Sequence, residues 1–223
     1  MAIEGFVPYP PELAALYVER GLWRNWTLSD LLDNSAQDVP EKEAVVDWHS
    51  RTTYRQLARE VDRLALSLLE MGLRPRDRVV VQIPNWKEFV VLYFGLAKMG
   101  AIIVPALRQH RTPDILHLIR LTDAVGLVSP VEFRGYRYGE MVEEVRREPS
   151  TLRWVFSVGG EPETEAVQIE KLLADPIEER YPPDYLRQFR AGPCEVSLIL
   201  TTGGTTGAPK GVPRTHNDYI HTV

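Results

Sequence analysis

The order of apolar and polar residues between positions 53 and 72 has the period of an α-helix. From Leu57 to Met71 the apolar residues recur every three or four positions, which is typical of an amphipathic helix. Thr53 and Gln56 have the spacing of a capping box, and Gly72 stands where a left-handed residue ends a helix. The pattern therefore predicts a capped helix between Thr53 and Gly72.

Short apolar runs alternate with further helical patterns. We predict buried strands over residues 79–83, 101–104 and 125–128, and helices over residues 86–99 and 112–122 between them. Asn85 with Glu88 is the predicted cap of the first of these helices. Strands joined by short connections through helices form right-handed crossovers in a parallel sheet. The sequence therefore predicts an α/β fold, with a parallel-type sheet flanked by helices.

The second half of the chain has a less regular pattern. We predict a charged surface helix over residues 135–147, a short strand from residue 154, a helix over 165–173, a surface connection over 175–193 and a strand over 196–201. We divide the chain into an α/β part, residues 1–193, and a part with a strand, a loop and the start of a helix, residues 194–223. A strand that carries a ligand loop needs neighbours and covering helices, which the remaining residues do not supply. We therefore expect this chain to be the front part of something larger.

Composition and charge narrow the classes of function. The 223 residues are 44% hydrophobic and 26% charged, and the net charge of −5 gives no general attraction for nucleic acid. Residues 89–107 approach the length of a membrane span, but Lys98, Gly100 and Pro105 divide them into a helix and a strand. Cys194 is the only cysteine, which excludes an internal disulfide and is compatible with a cytoplasmic protein. We expect neither a nucleic-acid partner nor a membrane partner.

The segment TTGGTTGAPKG, residues 201–211, carries the candidate chemistry. A glycine-rich turn after a strand exposes backbone N–H groups, threonine hydroxyls add donors, and Lys210 adds a positive charge. Together these groups suit polyphosphate oxygens, although the composition also fits a surface loop with a chance lysine. The Walker pattern is excluded, because Pro209 and Gly211 stand where that pattern needs a glycine and a hydroxyl.

The ten residues 202–211 resemble the signature loop of the adenylate-forming superfamily, which includes acyl- and aryl-CoA synthetases, nonribosomal peptide adenylation domains and luciferases. Residues 53–105 are similar to the front subdomain of that superfamily. Three further segments most resemble the aryl-acid AMP ligases, which activate 2,3-dihydroxybenzoate or salicylate for siderophores: residues 5–32, ALRQHR at 106–111 and PRTHNDY at 213–219. The match covers the whole chain, or about the first two-fifths of such an enzyme.

The sequence also departs from the usual pattern of the aryl-acid ligases at four positions. Arg108 stands in place of proline, Thr202 in place of serine, Gly211 in place of leucine and Asn217 in place of aspartate. Glycine at position 211 is the general choice of the superfamily. These departures leave the adenylation prediction intact, but they weaken the prediction that the substrate is an aryl acid.

The resemblance implies ATP-dependent activation of an aryl acid, with pyrophosphate release and transfer of the acyl group to a thiol of a carrier-protein phosphopantetheine or of CoA. It implies that Lys210 is catalytic and that the β- and γ-phosphates are bound by Thr202, Gly203, Gly204, Thr205, Thr206, Gly207 and Lys210. The Mg²⁺ ligand, the adenine site and a second catalytic lysine are expected beyond Val223, so the chain alone is expected to be inactive. The alternatives are another acyl-CoA synthetase or fatty acid ligase, a non-catalytic nucleotide-binding module, and a structural protein with an incidental loop.

Histidines are the remaining candidates for chemistry. His216 follows the loop and is assigned to the substrate side, with a structural position in the first turn of a helix as the alternative. His49, His110 and His117 have no metal-ligand spacing, so no metal site is predicted among them. Of these three, only His110 in RQHR is a weaker functional candidate.

Overall fold

The chain folds around one central sheet. The computed structural model describes residues 5–202 and 209–222. In the described part of the chain the sheet has seven strands in the order β11-β10-β4-β3-β5-β8-β9, and all neighbouring strands are parallel except β10 and β11. Its strands are β3 Arg78–Val81, β4 Ile102–Pro105, β5 Gly126–Pro130, β8 Trp154–Val158, β9 Val167–Gln168, β10 Val196–Thr201 and β11 Gly211–Thr215.

The described residues also form eight α-helices, two 3₁₀ helices at Ile177–Arg180 and Tyr185–Phe189, and two hairpins outside the central sheet. The helices are α1 Pro11–Glu19, α2 Leu28–Asp38, α3 Tyr54–Glu70, α4 Lys87–Lys98, α5 Thr112–Thr122, α6 Gly139–Arg147, α7 Ile169–Ala174 and α8 His216–His221. The hairpins pair β1 Glu43–Val46 with β2 Arg51–Thr53, and β6 Glu132–Phe133 with β7 Tyr136–Arg137.

Helices cover both faces of the sheet. Val79 and Val81 of β3 belong to a core cluster with residues of α3 and α4, whereas Val80 belongs to a second cluster with residues of α5 and α6. Successive side chains of a strand point to opposite faces, so these two clusters lie on opposite sides of the sheet. The predicted α/β fold with a parallel-type sheet is confirmed.

The predicted capping of α3 is confirmed in detail. The Thr53 hydroxyl accepts a hydrogen bond from the Gln56 N–H at 3.3 Å, and the Gln56 side chain accepts one from the Thr53 N–H at 2.9 Å. Gly72 follows the helix with a positive φ of 102°. The predicted bounds of α5 and β10 are also those of the structure.

The predicted cap of α4 is wrong. The helix begins at Lys87, and its N-cap residue Trp86 makes no side-chain capping bond. Instead, the Lys87 N–H donates to the carboxylate of Asp47, which lies in the turn between β1 and β2. The cap is supplied from 40 residues away, where local spacing carries no signal.

Three predicted segments in the second half also need correction. The charged helix begins at Gly139, because Arg134 and Gly135 both have positive φ values that reverse the chain into the β6–β7 hairpin. The helix predicted from residue 165 begins only at Ile169, since β9 precedes it and pairs with β8. Residues 175–193 are more than a surface connection, because Ile177 and Leu186 are buried in the core.

The surroundings of β10 differ from the expectation as well. The strand has β4 on one side and β11 on the other, so the expectation that this chain supplies no neighbours for it is wrong. The apolar stretch 89–107 divides at Gly100 into α4 and β4, as predicted. In residues 5–202 and 209–222, no helix combines the length and the apolar character that a membrane crossing requires.

Gly100 and Gly135 provide a matched test of the packing at the α4–β4 junction. Both have positive φ, but a Cβ on Gly100 would lie 2.2 Å from the Phe189 carbonyl oxygen, whereas a Cβ on Gly135 meets nothing within 4 Å. We expect Gly135→Ala to lower the free energy of unfolding by about 1 kcal/mol and Gly100→Ala by about 3 kcal/mol or more, because backbone atoms must move. Urea unfolding of the two variants measures the difference, and equal losses would contradict it.

Candidate functional site

The candidate site lies at the edge of the sheet that is formed by the carboxyl ends of the parallel strands. Parallel strands end at a common edge, and β10 pairs in parallel with β4 through Leu198 and Ile103. Residues 106–111, which follow β4, and the segment that follows β10 therefore leave the sheet side by side. This end of the sheet therefore holds residues 106–111, which resemble the aryl-acid ligases, and the start of the loop that resembles the superfamily signature.

The segment after β10 is the connection of a hairpin. Thr201 pairs with Gly211, and the Thr202 N–H donates to the Lys210 carbonyl at 3.0 Å. The structure thus brings together Thr202 and Lys210, the two ends of the predicted phosphate loop. The other predicted phosphate ligands, Gly203, Gly204, Thr205, Thr206 and Gly207, lie outside the described residues.

The two described ends of the loop suit an anion. Thr202 and Lys210 are both exposed, and among the described residues no acidic side chain forms an ion pair with the Lys210 ammonium. The Thr202 N–H is occupied by Lys210, so its hydroxyl is the group that remains available as a donor. An uncompensated lysine at the edge of a parallel sheet fits a phosphate group and does not fit a metal ion. Within the described ranges, no group of three His, Cys, Asp or Glu side chains is placed to hold a metal.

Helix α5 contacts the outgoing arm of the hairpin, residues 209–211. The His117 Nε2 lies 2.8 Å from the Pro209 carbonyl oxygen. A carbonyl can only accept, so Nε2 carries the hydrogen. Metal-ligand spacing gives no indication of this contact, and no other spacing along the sequence does, because His117 and Pro209 are 92 residues apart.

Residues 106–111 are held by buried polar side chains. The fully buried Gln82 donates from Nε2 to the carbonyls of Leu107 and His110, at 3.0 and 2.9 Å. The hydroxyl of Tyr138 donates to the Arg108 carbonyl at 2.9 Å. The candidate His110 is thus fixed through its backbone, next to the edge from which the phosphate loop leaves. Sequence reasoning did not identify Gln82, because an isolated glutamine in a strand pattern has no spacing to recognise.

His216 lies at the opposite end of the same hairpin. β11 is antiparallel to β10, and its last residue, Thr215, pairs with Val196 at the start of β10. Five residues of strand separate this end from Thr201, a distance of roughly 16 Å. The structure therefore does not bring His216 together with Thr202 and Lys210.

The contacts of His216 are those of a helix cap. Its side chain is buried, and its Nδ1 accepts a hydrogen bond from the Leu28 N–H at 3.1 Å, in the first turn of α2. Burial lowers the pKa of His216 to about 4, so the ring is neutral near pH 7. These contacts agree with the alternative prediction that His216 has a structural position in the first turn of a helix. The substrate role of His216 stays a prediction.

Comparison with known proteins identifies the family. Residues 32–223 match the family model described as "AMP-binding enzyme". The chain belongs to this family. The resemblance to adenylate-forming enzymes that the motifs predict is confirmed.

Relatives within the AMP-binding family include enzymes named for aryl acids. The chain is 40% identical to triostin synthetase I of Streptomyces triostinicus and 34% identical to the 2,3-dihydroxybenzoate-AMP ligase of Bacillus subtilis. Each of these alignments covers 99% of this chain and 39% of the relative. The salicyl-AMP ligase / salicyl-S-ArCP synthetase of Mycobacterium tuberculosis is 36% identical, over 97% of this chain and 38% of the relative. The chain thus spans about two-fifths of the length of these family members.

A solved structure agrees with the fold. The apo structure of MbtA from Mycobacterium smegmatis superposes with a TM-score of 0.84 at 35% identity, over 97% of this chain and 39% of that one. The sheet and its helices are therefore shared with a part of that protein.

The pKa of His216 leads to a pH-dependent stability. Unfolded histidine titrates near 6.5 and folded His216 near 4, so the unfolded state binds the proton first as the pH falls. We expect the parent to lose up to about 3 kcal/mol between pH 6.5 and 4 through this group, at about 1.4 kcal/mol per pKa unit. His216→Asn retains an acceptor for Leu28 without a titrating group, so it should lack this contribution. Urea unfolding across that pH range measures the difference.

The exposed His221, in the same helix, supplies the control for this experiment. His221→Asn should follow the pH profile of the parent. A His216→Asn profile that also runs parallel to the parent would contradict the assignment.

Proposed function

We propose that this chain belongs to an enzyme that activates an aryl carboxylic acid, 2,3-dihydroxybenzoate or salicylate, as its acyl-adenylate. The reaction joins the acid to the α-phosphate of ATP and releases pyrophosphate, and the acyl group is then transferred to a thiol. The observation that carries this proposal is the hairpin end at Thr202 and Lys210, at the carboxyl end of parallel strands, where no acidic side chain of the described residues pairs with the Lys210 ammonium. Alignment of nearly the whole chain with ligases named for these acids supports the choice of substrate.

The physical task of such an enzyme explains the residues of the loop. A carboxylate must approach a triphosphate, so two anions have to be brought together and aligned. Lys210 would offset the charge of the β- and γ-phosphates, with hydroxyl and N–H donors from Thr202, Gly203, Gly204, Thr205, Thr206 and Gly207. ATP supplies the adenylyl group, and Mg²⁺ would neutralise its phosphates. We place the magnesium ligands outside this chain.

The further parts of the proposal rest on the sequence. The thiol acceptor is a carrier-protein phosphopantetheine or CoA, and the name of the Mycobacterium tuberculosis relative favours a carrier protein. A cytoplasmic location and the division of the chain at residue 193 remain proposals. A contact between His216 and the acid substrate also remains a proposal. It would use ring atoms other than Nδ1, which accepts from the Leu28 N–H.

Lys210 is the residue whose loss tests the phosphate site. In the longest open reading frame that contains this chain, we expect Lys210→Ala to lower the rate of ATP–pyrophosphate exchange by about a hundredfold or more, because an electrostatic contact to the transition state is lost. Lys171→Ala, at an exposed lysine of α7, is the matched control and should retain the parent rate. A Lys210→Ala enzyme with the rate and ATP requirement of the parent would refute the proposed site.

The choice of acid is tested by a panel. We expect exchange with 2,3-dihydroxybenzoate or salicylate to exceed exchange with fatty acids and amino acids in the longest reading frame, and we expect no steady exchange from the 223-residue chain alone. A preference for fatty acids would assign the protein to the acyl-CoA synthetases. Steady turnover by the 223-residue chain would show that it is sufficient for catalysis.

A further inference from the structure

The outgoing arm of the loop follows one face of α5. His117 contacts the carbonyl of Pro209, and the Leu121 Cδ2 lies 3.6 Å from the position of a Cβ on Gly211. His117 and Leu121 are four residues apart, which is about 6 Å along a helix. Pro209 and Gly211 are two residues apart, which is about 6.6 Å along an extended strand. The distance between the two contacts is therefore nearly the same along the helix and along the arm, so the arm runs beside the helix.

The hydrogen bond from His117 holds a residue that has few other means of attachment. Pro209 has no N–H, so its carbonyl is its only backbone hydrogen-bonding group. The next carbonyl, that of Lys210, accepts from the Thr202 N–H. Two successive carbonyls are thus engaged by different partners, one by α5 and one by the incoming arm. The peptides on either side of the Lys210 Cα are therefore each held by one hydrogen bond.

Gly211 permits the close approach of the arm. A Cβ at this position would lie 3.1 Å from the Ile199 Cγ2, which is closer than most real Cβ contacts. The hydrogen atom of glycine leaves that space to Ile199 and Leu121. This packing gives a physical reason for glycine at a position where the aryl-acid ligases usually have leucine.

Helix α5 is a firm support for these contacts. Ile115, Leu118 and Ile119 are buried in the core on the opposite side of the helix from the exposed residues. The helix also begins two residues after His110, whose carbonyl is held by Gln82. Because α5 is anchored in the core, a contact with α5 fixes the position of the arm relative to the core.

We propose that His117 is a positioning residue that holds the Pro209–Gly211 arm in register with Thr202, and thereby sets the backbone from which Lys210 projects. The effect of His117 on nucleotide binding rests on the proposed function of Lys210. The effect of His117 on the position of the arm does not, so the two effects can be tested separately.

The experiment compares His117→Ala, His117→Gln and His49→Ala with the parent, all in the 223-residue chain. Glutamine retains an N–H donor of similar reach, and His49 is an exposed histidine far from the arm in sequence. The first measurement is NMR-detected hydrogen exchange of the Thr202 amide, which donates to Lys210, with the Leu198 amide as the internal reference. The second is the dissociation constant for Mg-ATP by calorimetry.

We expect the Thr202 amide in His117→Ala to exchange about three- to tenfold faster than in the parent, because one hydrogen bond of the arm is lost. The Leu198 amide should keep its rate. His117→Gln should restore most of the protection of Thr202, and His49→Ala should match the parent. Where the parent binds Mg-ATP, His117→Ala should weaken that binding by about three- to tenfold, with recovery in His117→Gln.

Unchanged exchange of Thr202 in His117→Ala overturns the proposal. Faster exchange with unchanged Mg-ATP affinity also overturns the part that concerns Lys210. If the 223-residue parent shows no affinity for Mg-ATP, the exchange rates alone decide the role of His117, and the Lys210→Ala assay in the longest reading frame decides the nucleotide function. A variant with equal loss of protection at Thr202 and Leu198 would indicate general destabilisation and would count against positioning.

Discussion

The parallel pairing of β10 with β4 is the interaction on which the candidate site depends. Because both strands run the same way, the segments that follow them emerge at one edge of the sheet. The first segment is held by Gln82 and leads into α5, and the second is the predicted phosphate loop. An antiparallel arrangement of the same strands would place these two segments at opposite edges. The direction of one strand thus determines which motifs can act together.

The β10–β11 hairpin is fixed at both of its ends by elements distant in sequence. At the loop end, His117 of α5 binds Pro209. At the other end, His216 caps α2 through Leu28, and the Tyr9 hydroxyl donates to Asp218 at 2.8 Å. Since β11 is the edge strand of the described sheet, it has a pairing partner on one side only. These contacts supply the order that a second neighbouring strand would otherwise provide.

His117 of α5 and His216 of α8, at the two ends of this hairpin, show how far sequence spacing predicts contacts. His216 is close to the loop in sequence, yet the register of an antiparallel strand carries it away from Lys210. His117 is 92 residues from Pro209 and contacts it directly. Lys210 lies beside Thr202 at the end of the segment that follows β10, and its role in phosphate binding and catalysis stays a prediction.

Local and periodic features follow from the amino-acid sequence. The capping box of α3, the bounds of α5 and β10 and the alternation of strands and helices depend on side chains within a few residues of each other, which a linear pattern records. The cap of α4 by Asp47, the burial of Ile177 and the contacts of His117 and His216 arise only in the folded chain. Each of these depends on groups that meet only when the chain is folded, so no spacing along the sequence encodes them.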